Sequence, residues 1–478
     1  PSGSPYIVSG NISIDPGITL TIDPGVVVKF GPAGMLTING TLKALGTTGK
    51  IYFTSLADDS LGGDTNADGP SSGAAGDWYR LNFGASNVDS ELENIEVRYA
   101  GGSAYNGSVF IAGSPVRVES SQIIDGNGHG THVTSIAVNS RLTENGEYGG
   151  IAPMADVVSV RAFDDLGRGT YADVIRAIDW VVANKDAYNI RVLNLSFGTE
   201  PRSYYWDDPL NQAVMAAWQA GIVVVASAGN TGPDAMTIGA PGNVPYVITV
   251  GAMTDNYTPD DIYDDFLATF SSAGPTVEGF VKPDMVAPGG HARGLMHTNV
   301  YLATTYPEFH DGAKYFMMSG TSQATAVVSG IAALLLQDEP WLTPDEVKGR
   351  LMSSARPASY SGGSLAYSVL QQGAGLVNAY DAVHSNTAHV ANRGLDIDAD
   401  LAGTAHYGGP VSAWEKKTKG TVSYVYYVRD AEGNPLPNGG YEWNGAYNYT
   451  DGYLWADGYL WADTLIESAK VNVWVPQE

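Results

Sequence analysis

Three short segments of this 478-residue chain carry residue types that together can do covalent chemistry. Gly128-His129-Gly130-Thr131-His132-Val133 supplies imidazole, whose unperturbed proton affinity lies near neutral pH. Gly320-Thr321-Ser322-Gln323-Ala324 precedes the apolar run Ala326 to Leu336, which reads as a helix. Ser322 then stands at a helix N-terminus, where the dipole favours negative charge developing on its oxygen. Val223 to Ala226 reads as a buried strand that leads through Ser227-Ala228-Gly229 to Asn230, an amide able to donate to an oxyanion. Singly, each has a plainer reading. Two histidines three apart are often a metal site or nothing, serine is a common N-cap, and Asn after Gly is by default a turn.

A fourth segment, Asp64-Thr65-Asn66-Ala67-Asp68-Gly69, spaces oxygen donors at Asp64, Asn66 and Asp68 as a calcium loop does. Its twelfth position, where a bidentate glutamate belongs, is Ala75, so an ordinary polar turn is an equal reading.

The elements that must position these groups change character near residue 122. Upstream, short β runs (Val26 to Phe30, Leu36 to Leu45, Ile51 to Thr54, Leu92 to Tyr99, Pro115 to Ile124) are separated by Gly, Pro, Asn and Asp clusters. Ile12-Ser13-Ile14-Asp15-Pro16-Gly17 is echoed at Leu20-Thr21-Ile22-Asp23-Pro24-Gly25, which suggests stacked rungs or a hairpin meander. Downstream, strands alternate with helices. Val174, Ala177, Ile178, Val181 and Val182 share a helical face, and Ile190 to Leu195 reads as a buried strand. Asp207, Asp208 and Pro209 start a helix through Ala220, and strands follow at Ile222 to Ala226 and Tyr246 to Val250. Thr343-Pro344-Asp345-Glu346 is a capping box opening a helix through Met352. Such alternation predicts an α/β fold, a parallel sheet with helices on both faces. Beyond residue 390 the helical pattern fades into an acidic, β-like tail. There Asp451-Gly452-Tyr453-Leu454-Trp455-Ala456 is repeated at 457–462, an aromatic pattern that reads as packing onto the domain rather than as a sugar-binding surface.

Composition narrows the function classes. The chain has 25 Lys plus Arg against 51 Asp plus Glu, a net charge of -26, which argues against nucleic acid and anionic membrane as partners. No apolar run approaches the ~18 residues of a membrane span. The lack of cysteine excludes disulfides, thiolate metal sites and a cysteine nucleophile. The chain opens Pro1-Ser2-Gly3 with neither a charged n-region nor an apolar h-region, so the expectation is a processed or truncated form.

The three chemical segments resemble motifs of the subtilisin-like serine endopeptidases. So do "GIAP" at 150–153, "NLSFG" at 194–198, "FSSAGPT" at 270–276, "KPDMVAPG" at 282–289 and "QGAGLVNAYDAV" at 372–383. The resemblance covers 125–384 and implies a subtilisin-like sheet, with His129 as general base, Ser322 as acylating nucleophile and Asn230 as oxyanion donor. It further implies a peptide cleft lined by Ser196, Phe197 and Gly198 facing Ser227, Ala228 and Gly229, with Asp125 beside it and His132 as a second, non-catalytic histidine. Residues 1–122, including "DPGVVVKF" and "LTINGTLKALG", resemble parallel β-helix segments of bacterial surface and secreted proteins; an antiparallel β-sandwich is the alternative.

Two departures stand out. No upstream carboxylate, Asp89 included, has the strand-end context of the family's triad Asp, and Pro115 to Ile124, with Glu119, is the only nearby strand that could take the vacated place in the sheet. Thr325 stands where the family has Pro. The expected organisation is a β-rich 1–122, a protease-like 123–390 lacking its first strand and helix, and an extension 391–478. The expected function is serine endopeptidase activity on proteins or peptides, impaired by the missing Asp. It would need no cofactor beyond a structural calcium ion, and it would act at the cell surface or outside the cell. A protease-like binding protein of little activity is the alternative.

Overall fold

A computed structural model describes residues 3–435 except 75, 85, 88–89, 102–108, 112–116, 120–121, 124–125, 144, 259–260, 262, 362–363, 386–388, 419–420 and 430–433, and also 465–467; at 110–111, 117–119, 122–123, 421 and 465–467 only the backbone is described.

The N-terminal strands form three parallel sheets. One joins Tyr6–Val8, Val27–Phe30, Ile51–Ser55, Ile95–Val97 and Gln122–Ile123. A second joins Asn11–Ile14, Met35–Ile38, Arg80–Phe83 and Val109–Ile111, and a third joins Thr19–Ile22, Thr41–Leu45, Glu91–Glu93 and Arg117–Glu119. In each sheet the neighbour is the third strand along the chain, so the chain returns to the same face once per turn of a three-sided coil. Every pairing among these strands is parallel, which an antiparallel sandwich does not permit.

Alternation decides what the coil buries. Leu36, Ile38, Leu42 and Ala44 point inward between exposed or half-exposed neighbours. Stacked turns superpose like residues, Leu36 against Leu81 and Ile38 against Phe83. Phe30 and Trp78 stack at 4.1 Å between ring centroids, filling one end of this core. The turns approach closely at Gly40, where a Cβ would lie 2.3 Å from Ile18 O and 2.4 Å from Asp15 O. The eight-residue echo is a strand-turn unit within one coil and not the stacking period, because Asn11–Ile14 and Thr19–Ile22 occupy different faces and pair with Met35–Ile38 and Thr41–Ala44.

After Ile123 the architecture changes. Val192–Leu195, Val223–Ser227, Ile248–Thr254 and Met285–Pro288 form a parallel sheet, with Phe266–Leu267 antiparallel to Met253–Thr254. Every residue of Val223–Ser227 and Ile248–Thr254 is buried, as a sheet covered on both faces requires. Helices Tyr171–Asn184, Pro209–Gln219, Thr321–Asp338 and Pro344–Ser354 surround it. Their starts follow side-chain chemistry. Thr170 with Asp173, and Thr343 with Glu346, close capping boxes, while Asp208 accepts from Leu210 N (2.8 Å) and Asn211 N (3.3 Å) ahead of Pro209. The expected strand from Tyr246 begins instead at Ile248: the Lys348 ammonium takes Pro245 O (2.8 Å) and Tyr246 O (3.2 Å), so that stretch is bonded to a side chain before the ladder starts.

Arg117–Glu119 pairs with Glu91–Glu93 inside the coil and Gln122–Ile123 with Glu96–Val97, so the expectation that Pro115 to Ile124 enters the protease sheet is overturned. Among the described residues Val192–Leu195 has a strand neighbour on one side only, and Val157, Val158 and Val160 stand exposed in a segment without strand pairing.

The described part of the tail docks through buried polar chemistry. Asp400 accepts from Tyr205 Oη (2.6 Å) and Tyr246 Oη (3.0 Å) and meets His406 Nδ1 at 2.8 Å. Val411–Thr418 and Thr421–Val428 then form an antiparallel hairpin. The aromatic repeat at 451–462 lies outside the described residues.

Candidate active site

His129 opens the helix His129–Val138, whose N-cap is Gly128 in the left-handed region (φ 97°). A side chain at that position would also strike Val300 (2.6 Å) and Met296 (3.1 Å), so glycine is required twice over. Ser322 is the second residue of Thr321–Asp338. The two helices pack through Val133, Ile136 and Ala326. They run parallel, since His132 touches Gln323 while a Cβ at Gly330, further along, would meet Ala137 O at 3.1 Å. Their N-termini, with His129 and Ser322 on them, therefore lie at the same end.

The strands bring the remaining groups to that end. Ser196, just past Val192–Leu195, donates through Oγ to Ser322 O (2.9 Å), and Ser322 Oγ donates to Ser196 O (3.2 Å). Asn230 follows Val223–Ser227, and its Oδ1 accepts from Thr321 N and Thr321 Oγ1, both at 2.9 Å. With the amide oxygen so held, Nδ2 faces Gly320. A Cβ placed on Gly320 would lie 3.4 Å from Asn230 Nδ2 and 3.7 Å from Ser322 N. A side-chain N–H and the Ser322 backbone N–H thus both lie beside Gly320, the pair of donors an oxyanion needs, with the Gln323 amide oxygen nearer still at 2.8 Å from that Cβ position.

The cleft residues expected from sequence are neighbours. Ser227 Oγ donates to Phe197 O (3.1 Å), Thr199 pairs with Ala240, and Gly229 N donates to Thr321 Oγ1 (3.3 Å). Ser196, Phe197, Ser227 and Ala228 are buried, and Gly198 is half-buried. Asp125 lies outside the described residues, as does the Glu119 side chain. His132 is fully buried, with Nε2 3.0 Å from Phe316 O; burial first, then the nearby His129, lowers its proton affinity to a pKa of about 4 against the carbonyls of Phe316 and Ala292.

Three residues do not appear as parts of the site in the sequence reading, Thr321 as the group that orients Asn230, Gln323 as a contact of His132 and Asp59 at the acidic loop, and Ser196, expected in the cleft, has the further role of hydrogen-bond partner to Ser322. The contacts of Thr321, Gln323 and Ser196 span 91 to 191 positions, and no local signal marks them. At the loop, carboxylate oxygens of Asp59, Asp64 and Asp68 lie within 4.8 Å of one another. Asn66, the third expected donor, adjoins these carboxylates: its Nδ2 donates to Asp68 Oδ2 at 2.7 Å. Asp59 Oδ1 is buried without a hydrogen bond, an orphaned oxygen that a hard cation would satisfy.

A serine at a helix start, an imidazole on a parallel partner helix, and N–H donors from that helix start and from an asparagine just past a parallel strand are the residue set of a serine-hydrolase type of site. Residues 88–387 match the model of the subtilase family, peptidase S8, and the chain belongs to that family. It is 42% identical over 264 residues to Serine protease AprX of Bacillus subtilis (strain 168), covering 54% of this chain and 58% of that protein. Against Subtilisin E of the same strain it is 33% identical over 297 residues, 61% of this chain and 62% of the relative. The chain thus spans about three-fifths of the length of these relatives. Among solved structures it is similar to Sphericase, at 26% identity over 53% of this chain and 78% of that one, with a TM-score of 0.44.

Proposed function

We propose that this chain is a serine endopeptidase whose protease unit spans 123–390, carried between the β coil of 1–122 and the extension 391–478. Ser322 attacks a peptide carbonyl, His129 takes the hydroxyl proton and returns it to the leaving amine, and Asn230 Nδ2 with Ser322 N–H holds the oxyanion until water releases the acyl group. The observation that carries this reading is the proximity of those two donors to Gly320, at the common end of the helices bearing His129 and Ser322. Ser322 Oγ needs only rotation about its Cα–Cβ bond to leave Ser196 O. The cleft is read as the edge made by Ser196, Phe197 and Gly198 opposite Ser227, Ala228 and Gly229, and the family resemblance implies Asp125 as a further substrate-binding residue.

The family's triad Asp has no sequence counterpart here, so turnover is expected to be slow; removing that group from a complete triad costs roughly 10⁴-fold in kcat. A catalytically weak binding protein remains the second reading on that ground. The substrates are proteins or peptides, and the site of action is outside the cell, in keeping with the acidic, Gly-rich and Tyr-rich composition. Among the described residues no helix is long and apolar enough to cross a membrane. No catalytic cofactor is needed. A structural calcium ion would be held by Asp59, Asp64 and Asp68.

Active-site labelling tests the assignment. A fluorophosphonate is expected to modify Ser322 slowly, with the label located by peptide mapping and absent from Ser322→Ala and His129→Ala. Labelling that survives His129→Ala assigns activation of the serine to another base.

A further inference from the structure

Gln323, next to the nucleophile, is buried beneath the site. Its Nε2 lies 3.4 Å from His132 Nδ1, and its Oε1 faces Gly320, where a Cβ would come within 2.8 Å of it. His132 Nε2 lies 3.0 Å from Phe316 O, a carbonyl that can only accept, so that nitrogen carries the proton. Nδ1 is then the acceptor and the Gln323 amide the donor, and this orientation turns the amide oxygen toward Gly320. Phe316 belongs to Tyr315–Met318, the strand that leads through Ser319 and Gly320 to Ser322. The chain of contacts therefore links the histidine helix, the strand entering the nucleophile turn and the first turn of the serine helix. The ring is locked further by Gly294, at which a Cβ would meet it at 2.7 Å.

We propose that Gln323 and His132 are positioning residues of the active site: their buried hydrogen bond sets the offset between the helices that present His129 and Ser322 and so holds base, nucleophile and oxyanion donors in register. The inference rests on the serine-endopeptidase reading. Its physical basis is that parting a buried donor from its acceptor exposes neither to water and so is resisted, while a misplacement of about 1 Å at such a site costs on the order of 10²-fold in rate. The groups facing His132 from the packed elements are His129 on its own helix, the carbonyls of Phe316 and Ala292, and the Gln323 amide.

The test uses the full chain, with fluorophosphonate labelling and hydrolysis of a fluorogenic peptide, on Gln323→Met, which keeps volume and removes the donor, on Gln323→Glu, on His132→Asn and on the double variant with Gln323→Met. Expected is a fall of about tenfold to a hundredfold in kcat and labelling rate for Gln323→Met, with KM within about twofold. The double variant is expected to be no slower than the worse single one, because the pair acts as a unit. A parent that labels at Ser322 together with a Gln323→Met variant labelled at the parental rate, or with fully additive losses, overturns the positioning role while leaving the endopeptidase reading intact. A parent that does not label overturns both. Should neither Gln323 variant fold, the residue is structural and the proposal fails.

Discussion

The coil and the protease sheet are both built from parallel strands, yet they bury them differently. Coil strands such as Met35–Ile38 and Thr41–Leu45 hide alternate residues in a narrow interior and leave the others to solvent. In the sheet, Val223–Ser227 and Ile248–Thr254 are buried throughout, because helices cover both faces. The coil therefore gains its core turn by turn from strand stacked on strand, whereas the sheet is also held by helices, among them Thr321–Asp338 from a distant part of the chain. Chemistry follows the second plan: a site needs unlike groups brought to one point, and strand ends meeting helix starts supply it.

Four measurements sharpen or break that contrast. The largest effect is expected from Trp78→Ala, which removes the ring stacked on Phe30; the coil should lose about 3–5 kcal/mol in denaturant unfolding while Ser322 labelling keeps its rate. A parallel loss of labelling shows that the regions are energetically one. Asn230→Leu is expected to do the reverse, lowering kcat by about 10²–10³-fold with little change in KM and none in coil stability.

The third concerns pH. His132 has a folded pKa of about 4, below its ordinary 6.5, so between those values the unfolded chain binds more protons and stability rises with pH. The contribution is complete above about 6.5 and is lost on acidification toward 4, on the order of 3 kcal/mol in the protease region, and His132→Asn should flatten that slope. An unchanged slope in the variant removes His132 from the acid response. The smallest effect belongs to the acidic loop: calcium at about a hundredfold its Kd should stabilise the coil by about 2.7 kcal/mol, and Asp59→Ala should abolish the shift. If magnesium and calcium act alike on parent and variant, the loop is a polar turn.

Much of the scaffold was legible because its signals are local. The capping box at Thr343, the Asp208-Pro209 start and the β-branched strands all act within one turn or one pleat, and the structure places elements at each. The failures share a cause. The echo at Ile12 and Leu20 misled because a three-faced coil puts successive strands on different faces, and a local repeat does not reveal how many faces a turn has. Pro115 to Ile124, an N-terminal β run, also offered itself for the vacated place in the protease sheet because strand composition does not specify a partner; the pairing of Arg117–Glu119 with Glu91–Glu93 depends on the coil already stacked beneath it. Thr325 lacks the family's proline, and in the fold its Oγ1 donates to Thr321 O at 2.7 Å, tying down the first turn in another way.

By itself the sequence determined which residues could act as base, nucleophile and oxyanion donor, and that a β-rich region precedes an α/β one, since residue type and local periodicity carry that information. Only the tertiary structure decided that Thr321 turns the Asn230 amide toward Gly320, that Gln323 reaches His132, and that Asp59 joins Asp64 and Asp68 in the acidic cluster. Each of these is a hydrogen bond or a shared charge between backbone segments whose approach is set by helix packing or loop closure, and such approach leaves no periodic trace in the chain.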